Sequence, residues 1–312
     1  MKLIDLHEDM GVTSQRADII SSTEQSNLRE ISRFEDAVIF GVCFPHISVV
    51  NDRAEELSKQ YGHPARSTVP LWDDLMEQLK FYKYLERKGL VSIVKNHSDI
   101  MKQGTKLLLS LEGTDCLRDP FDLYLLHDLG LRAVGLTWNY DTKFAAAAMS
   151  RKDYGLTGSG VELIEIANSN NMIVDVAHAS RNTIIDTCSL SRKPVISSHG
   201  NAKGVFNHVR NLDDESIGAI VKTGGVVGIT GIRSTLGKEP SIDDMVKHML
   251  YVGDNFGWDH VALGTDFLGI DDTPRGFESI SKVKDLAEKL GDRADQVMWQ
   301  NPLRVISQVL HE

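Results

Sequence analysis

The amino-acid sequence predicts an α/β protein, a (β/α)8 TIM-type barrel with its chemistry at the C-terminal ends of the strands. Three observations lead there. Eight short apolar runs recur along the chain, at 2–6, 37–44, 106–111, 131–136, 172–176, 194–197, 225–229 and 260–264. Most are followed by a stretch with helical spacing, and strand–helix alternation implies parallel strands joined by right-handed crossovers. Residues able to bind metal or move protons stand just past five of these runs. Eight such units favour a closed barrel over an open doubly wound sheet. No Gly-x-Gly-x-x-Gly follows any run, which removes the usual dinucleotide-binding reading.

The bulk properties agree with one large core. The chain has 312 residues, 41% hydrophobic and 25% charged, and is expected to be a single barrel domain over 1–312. A net charge of -10 argues against nucleic acid or an anionic membrane as partner. No apolar run approaches the ~20 residues that span a bilayer. No basic segment followed by an apolar one opens the chain, so no signal peptide is expected. Cys43, Cys116 and Cys188 are odd in number and widely spaced. They point to reduced thiols and a cytoplasmic protein. A homodimer is among the assemblies the sequence allows.

In chain order, Lys2 to Leu6 reads as a strand, and His7 and Asp9 lie just past it. Residues two apart in extended chain point to the same side, so this imidazole and carboxylate can meet at one point. Residues 11–35 are polar and read as loop. The run at 37–44 is continuous and short, as in a strand covered on both faces. Pro45 ends it. The long connection at 45–67 carries His46 and His63; His46 follows a strand and is expected at the active face, near substrate or ligands. Helical spacing appears at Leu71, Leu75, Leu79, Tyr82 and Leu85, with Pro70 near the start and Gly89 as the stop.

The alternation then repeats. The strand at 106–111 ends in Glu112-Gly113, and a helix is expected over 120–128. The strand at 131–136 ends in Thr137-Trp138-Asn139, and a helix follows at 159–170. The strand at 172–176 ends in Ala177-His178, with a helix over 180–190. The strand at 194–197 ends in Ser198-His199. Asp213 or Asp214 caps the next helix, and Gly224 stops it. After the strand at 225–229, Ser241 with Asp244 three residues on opens a helix to about Asn255. The strand at 260–264 ends in Thr265-Asp266, and loop and helix complete the chain.

A barrel gathers the C-terminal strand ends at one face. That face would carry His7, Asp9, Glu112, His178, His199 and Asp266. Each alone has an ordinary explanation as a loop residue, a turn or a cap; together, at equivalent positions, they indicate a metal centre. Four ligands plus a further carboxylate exceed what one tetrahedral Zn²⁺ needs, whereas two ions sharing a carboxylate would use them all. Two Zn²⁺ with two carboxylate ligands leave positive charge uncompensated, which favours ionising a bridging water to hydroxide near neutral pH. An unligated carboxylate could orient that hydroxide and shuttle its proton.

The chain resembles the membrane dipeptidase (renal dipeptidase) family of the amidohydrolase superfamily, nearly end to end. The resemblance rests on Asp5-Leu6-His7-Glu8-Asp9, Leu111-Glu112-Gly113 and Gly155-Leu156-Thr157. It continues in the run from Met172 to His178, the run from Pro194 to His199, Arg210-Asn211-Leu212-Asp213-Asp214, Leu263-Gly264-Thr265-Asp266-Phe267 and Asn301-Pro302-Leu303-Arg304-Val305. It implies a (β/α)8 barrel with two Zn²⁺ per chain that hydrolyses dipeptides. Carried over by motif, His7 and Asp9 hold one zinc, His178 and His199 the other, and Glu112 bridges. Asp266 would be the proton shuttle, and Arg210 would bind the substrate's terminal carboxylate. One departure concerns the fourth strand end, where the best-known members have a substrate-contacting His and this chain has Trp138. Trp138 is read as a wall of the substrate pocket, with Asn139 beside it. An indole N–H donates but cannot carry positive charge, so carbonyl polarisation would fall more heavily on zinc. His97, His127, His208, His248, His260 and His311 are read as helix or loop residues without ligand partners. The sequence-based reading is a zinc-dependent dipeptidase acting through a metal-bridging hydroxide. A hydrolase of another small amide or ester, such as an acylated amino acid, and a non-catalytic metal-binding scaffold are the alternatives.

Overall fold

The computed structural model describes residues 1–15, 19–21, 23–45 and 71–310. The connection bearing His46 and His63, together with Pro70 and His311, lies outside the described residues. The strands are β1 (Lys2–Glu8), β2 (Asp36–Cys43), β3 (Ser92–Ile93), β4 (Thr105–Glu112), β5 (Leu131–Gly135), β6 (Ile173–Asp175), β7 (Val195–Ile196), β8 (Val227–Ile229) and β9 (Val261–Leu263). Every pairing between them is parallel. The order β1-β2-β4-β5-β6-β7 is continuous. A bridge from Ser197 to Val227 joins β7 to β8, and β8 pairs with β9. A last bridge, Glu8 to Phe267, returns the chain beyond β9 to β1. The sheet thus closes on itself as a (β/α)8 barrel.

The eight runs of the sequence all appear as strands, and β3 is an addition. Its two residues pair with Lys106 and Leu107 at the start of β4, along the edge that β5 takes over from Leu109 onward. Two residues carry no periodicity, so no pattern could announce them. The strands β6 to β9 are shorter than their apolar runs. Beyond β6 and β7 the backbone leaves the ladder for a side chain: Ala177 and Ser198 each donate N–H to Asp175 Oδ1 at 2.9 Å.

Helices cover the outside of the barrel. They are α1 (Leu28–Ile31), α2 (Leu71–Arg87), α3 (His97–Ile100), α4 (Asp122–Asp128), α5 (Gly158–Ser169), α6 (Arg181–Leu190), α7 (Asp214–Lys222), α8 (Arg233–Leu236), α9 (Ile242–Phe256), α10 (Val283–Leu290) and α11 (Asn301–Val309). Short polar side chains start several of them by accepting otherwise unpaired N–H groups. Thr157 accepts from Gly160, Ser180 from Thr183 and Asp213 from Ser216. Ser241 and Asp244 form a reciprocal capping box on α9. The expected loop at 11–35 contains α1, capped by Asn27, and a turn of 3-10 helix at Met10–Gln15.

Because both faces of each strand are covered, the strands are buried along most of their length and mainly apolar. Outward side chains such as Ile39, Leu109 and Leu263 pack with Leu75, Leu79 and Tyr82 of α2 and with the other helices. A second cluster contains Ile4, Val38, Phe40, Leu108, Ile173 and Ile196 together with Val305, Ile306 and Val309 of α11. Arg304 donates to Gly224 O at 2.6 Å and Asp259 O at 2.9 Å, both just ahead of strands. The last helix therefore lies across the N-terminal mouth of the barrel and leaves the C-terminal mouth to the polar residues.

Candidate metal centre

The ends of β1 and β9 are tied together before any ligand is considered. Asp5, fully buried, accepts the His7 N–H at 3.2 Å and the Thr265 N–H at 2.9 Å on Oδ1, and the Thr265 hydroxyl at 2.6 Å on Oδ2. Asp266 N donates to His7 O at 3.0 Å, and Asp9 N to Phe267 O at 2.9 Å. The β1–β2 register shifts between Asp5 and Glu8; a bulge of this kind re-aims side chains beside a site. His178 and Asp266 have φ of 64° and 62°. Non-glycine residues in this left-handed region cost of order 1–3 kcal/mol.

The other four expected ligands converge around Glu112. Its Oε2 lies 3.6 Å from His7 Nε2, and its Oε1 lies 3.0 Å from His178 Nε2 and 3.5 Å from His199 Nε2. The two histidine nitrogens on the Oε1 side stand 2.7 Å apart. On the other side, His7 Nε2 is 3.5 Å from Asp9 Oδ2 and 3.7 Å from Asp266 Oδ1. One carboxylate thus offers one oxygen to each of two ligand groups. His7, Glu112 and His199 form one set whose ligand atoms lie within 4.8 Å of one another, and His7, Asp9 and Asp266 form another.

The electrostatics are those of a site built around positive charge. Burial raises Asp9, and it raises Asp266 well above the usual carboxylate range with help from Asp9 and Glu112. Burial also pushes Glu112 up, but the imidazoles of His7 and His178 outweigh it and hold Glu112 well below that range. His7 is raised well above the ordinary histidine value, because Glu112 and Asp9 outweigh the penalty of burial. His178 is pushed down to about 3 by burial and by Arg210. His199 is pushed well below its ordinary value by burial and by the two neighbouring histidines. Two neutral imidazoles and crowded carboxylates are what a divalent cation requires of its ligands.

The outer nitrogens are committed. His178 Nδ1 lies 2.8 Å from Asn139 Oδ1, an oxygen that can only accept, so the proton sits on Nδ1 and Nε2 presents its lone pair to the centre. The Asn139 oxygen, expected to face substrate, is therefore spent on His178. His7 and His199 direct their Nδ1 atoms to Ser198. Asp5, Asn139 and Ser198 all stand inside the motifs read from the sequence, yet only distances reveal what they hold.

Arg210 and Trp138 flank the centre. A cavity of about 220 Å³ is lined by His178, His199 and Arg210, among others. Arg210 has no side-chain hydrogen bond or ion pair among the described residues; burial lowers its guanidinium to about 10, while Glu112 and Asp266 act to raise it. Trp138 packs among aromatic rings at tilted or edge-on angles, 5.3 Å from Phe44, 5.7 Å from Tyr140 and 6.0 Å from His178. It forms a wall beside His178.

The donor set fits divalent metal. His7 Nε2 and Asp9 Oδ1 are buried with no hydrogen-bond partner, a costly state unless another acceptor of their lone pairs is bound. A closed parallel barrel carrying carboxylate-linked histidines at its C-terminal mouth defines the class, a barrel with a candidate metal centre. Within that class, the chain belongs to the membrane dipeptidase family (peptidase family M19), whose model matches residues 1–311. Uncharacterized dipeptidase C965.12 of Schizosaccharomyces pombe is 37% identical over 194 residues, 57% of this chain and 47% of that protein. Dipeptidase tcpJ of Claviceps purpurea is 30% identical over 198 residues, 60% of this chain and 47% of that one. The matched chain spans about half the length of these curated relatives. Among solved structures, a metallo peptidase described as a dipeptidase superposes with a TM-score of 0.85 at 19% identity, covering 100% of this chain and 99% of that one. A metallo peptidase from Rhodobacter sphaeroides, solved with a phosphinate mimic of the dipeptide L-Ala-D-Ala, gives 0.82 at 19% identity with 99% of each chain covered. These likenesses show the shared fold.

Proposed function

We propose that the protein is a zinc-dependent dipeptidase with two ions per chain. The observation that carries the reading is the division of Glu112, one oxygen toward His7 and one toward His178 and His199. On this reading His7 and Asp9 hold one ion, His178 and His199 the other, and Glu112 both. Bound there, the ions would polarise the scissile carbonyl and lower the pKa of a shared water enough to make it the nucleophile. Asp266, beside His7, would take the proton that the attacking water gives up and return it to the leaving amine. Arg210, without a side-chain partner among the described residues, binds the substrate's terminal carboxylate through a charge-assisted pair. Trp138 bounds the substrate beside His178. A reducing, cytoplasmic setting belongs to the same reading, supported by the three free cysteines.

The test is zinc content and turnover on the same preparation. Close to two equivalents of zinc are expected, with hydrolysis of free dipeptides and strongly reduced hydrolysis of C-terminally amidated ones. Arg210→Lys, a poor replacement for a bidentate clamp, should remove the difference between the two substrates. Equal rates on free and amidated dipeptides in wild type would reject the role of Arg210. A fully metallated protein that cleaves no dipeptide would favour another amide or ester substrate, or a scaffold.

A further inference from the structure

We propose that Ser198, backed by Asp175, is a positioning residue that holds His7 and His199 in one tautomer and so couples the two ligand groups. The inference rests on the two-ion reading above. Ser198 Oγ lies 2.9 Å from His199 Nδ1 and 3.3 Å from His7 Nδ1. A serine hydroxyl has one proton to donate and two lone pairs to offer. The buried Asp175 carboxylate interacts with that hydroxyl, and its Oδ1 also accepts the Ser198 and Ala177 N–H groups, each at 2.9 Å. On this proposal the hydroxyl proton turns to the Asp175 carboxylate, which already serves as acceptor for two N–H groups. Both Oγ lone pairs then remain for N–H donors, one from each imidazole.

The consequence appears at the far edges of the rings. With Nδ1 protonated, each ring presents an unprotonated Nε2, the form that ligates metal. The rings stand 3.9 Å apart, yet their Nε2 atoms reach different oxygens of Glu112. His7 faces Oε2 at 3.6 Å and His199 faces Oε1 at 3.5 Å. His178 has Asn139 for the same task, whereas His7 and His199 share one hydroxyl. The position of that hydroxyl is constrained: Ser198 is 1% exposed, and a Cβ on either Gly228 or Gly264 would overlap its carbonyl oxygen. The two neighbouring strand ends thus press directly on the Ser198 backbone.

A serine that merely filled space would affect folding alone when replaced. A shared positioning hydroxyl predicts that one substitution weakens both ions, including the one held by His7, which is 191 residues away in sequence. Zinc affinity is to be measured by chelator competition on the full chain as wild type, Ser198→Ala and Ser198→Thr. Ser198→Ala should weaken both binding steps by roughly 10- to 100-fold, and Ser198→Thr, which keeps the hydroxyl, should recover most of that. In the zinc-loaded ¹⁵N-labelled protein, the Nδ1–H protons of His7 and His199 should exchange slowly in wild type and fast in Ser198→Ala. The wild type also provides a test that needs no variant: ligation of zinc through Nδ1 by either ring overturns the proposal. So do unchanged affinities in a folded Ser198→Ala, or a loss confined to the ion held by His199. A wild type that takes up no zinc would instead reject the two-ion reading.

Discussion

At the scale of single residues, the site is governed by which atom of each side chain faces the centre. Asp266 lies beside His7 without replacing Asp9 as its nearest carboxylate, at 3.7 Å against 3.5 Å, which suits a proton carrier beside the ligands. Asp266→Asn keeps size and shape but cannot take up or return a proton at neutral pH. Turnover should fall by ~10²- to 10⁴-fold, with the zinc content of wild type retained; wild-type turnover in this variant would exclude the role. Gly269 makes a second residue-scale prediction. A Cβ there would overlap Asp9 Oδ2 and approach Asp266 Oδ1 at 2.9 Å. Gly269→Ala should displace Asp9 and bring zinc content toward one ion per chain while the fold persists. Two equivalents with normal turnover would show that Asp9 has room to move.

At the scale of elements, the segment after β7 carries both His199 and Arg210, and α9 holds it from behind. His248, read from the sequence as a residue without a ligand role, is fully buried on α9 and accepts the Ala202 N–H on Nδ1 at 3.0 Å. Asn201 extends the hold by donating to Thr230 O at 3.2 Å and Thr235 Oγ1 at 2.8 Å. Burial lowers His248 to about 4, from an ordinary value of 6.5. The unfolded chain therefore takes up this proton at higher pH than the folded one. Stability contributed by neutral His248 is full above pH 6.5 and is lost as pH falls toward 4, by up to ~3 kcal/mol from this group. His248→Gln can still accept the Ala202 N–H but does not titrate. Urea denaturation at pH 7 and pH 4.5 should show a smaller drop for the variant than for wild type. Equal drops would mean that His248 is already protonated in the fold or opens locally.

At the scale of the whole molecule, the barrel confines carboxylates and unprotonated imidazoles within a few ångströms, at the mouth opposite the one that α11 covers. Ions bound there would bind the folded chain alone, since the proposed ligands come from four strand ends. Each should stabilise the fold by about 4 kcal/mol at a thousandfold excess over its Kd, on the order of 10 °C in melting temperature. Melting measured before and after chelation, with metal content determined on the same samples, checks this. An unchanged melting temperature after proven removal of zinc would mean that the barrel holds the ligands together unaided.

Much of this was legible in the sequence because it is local. Apolar runs too short for helices, Gly and Asp punctuation and the polar residue after each run depend on neighbours along the chain, so the barrel and His7, Asp9, Glu112, His178, His199 and Asp266 could be read from pattern and resemblance. The two residues of β3, the left-handed turns at His178 and Asp266, and the commitment of Asn139 to His178 could not, because none leaves a periodic trace. The sequence by itself determined that these residues meet at one mouth. Only the tertiary structure decided which nitrogen of each imidazole faces inward, because that choice is set by hydrogen bonds to Asn139 and Ser198 across elements distant in the chain.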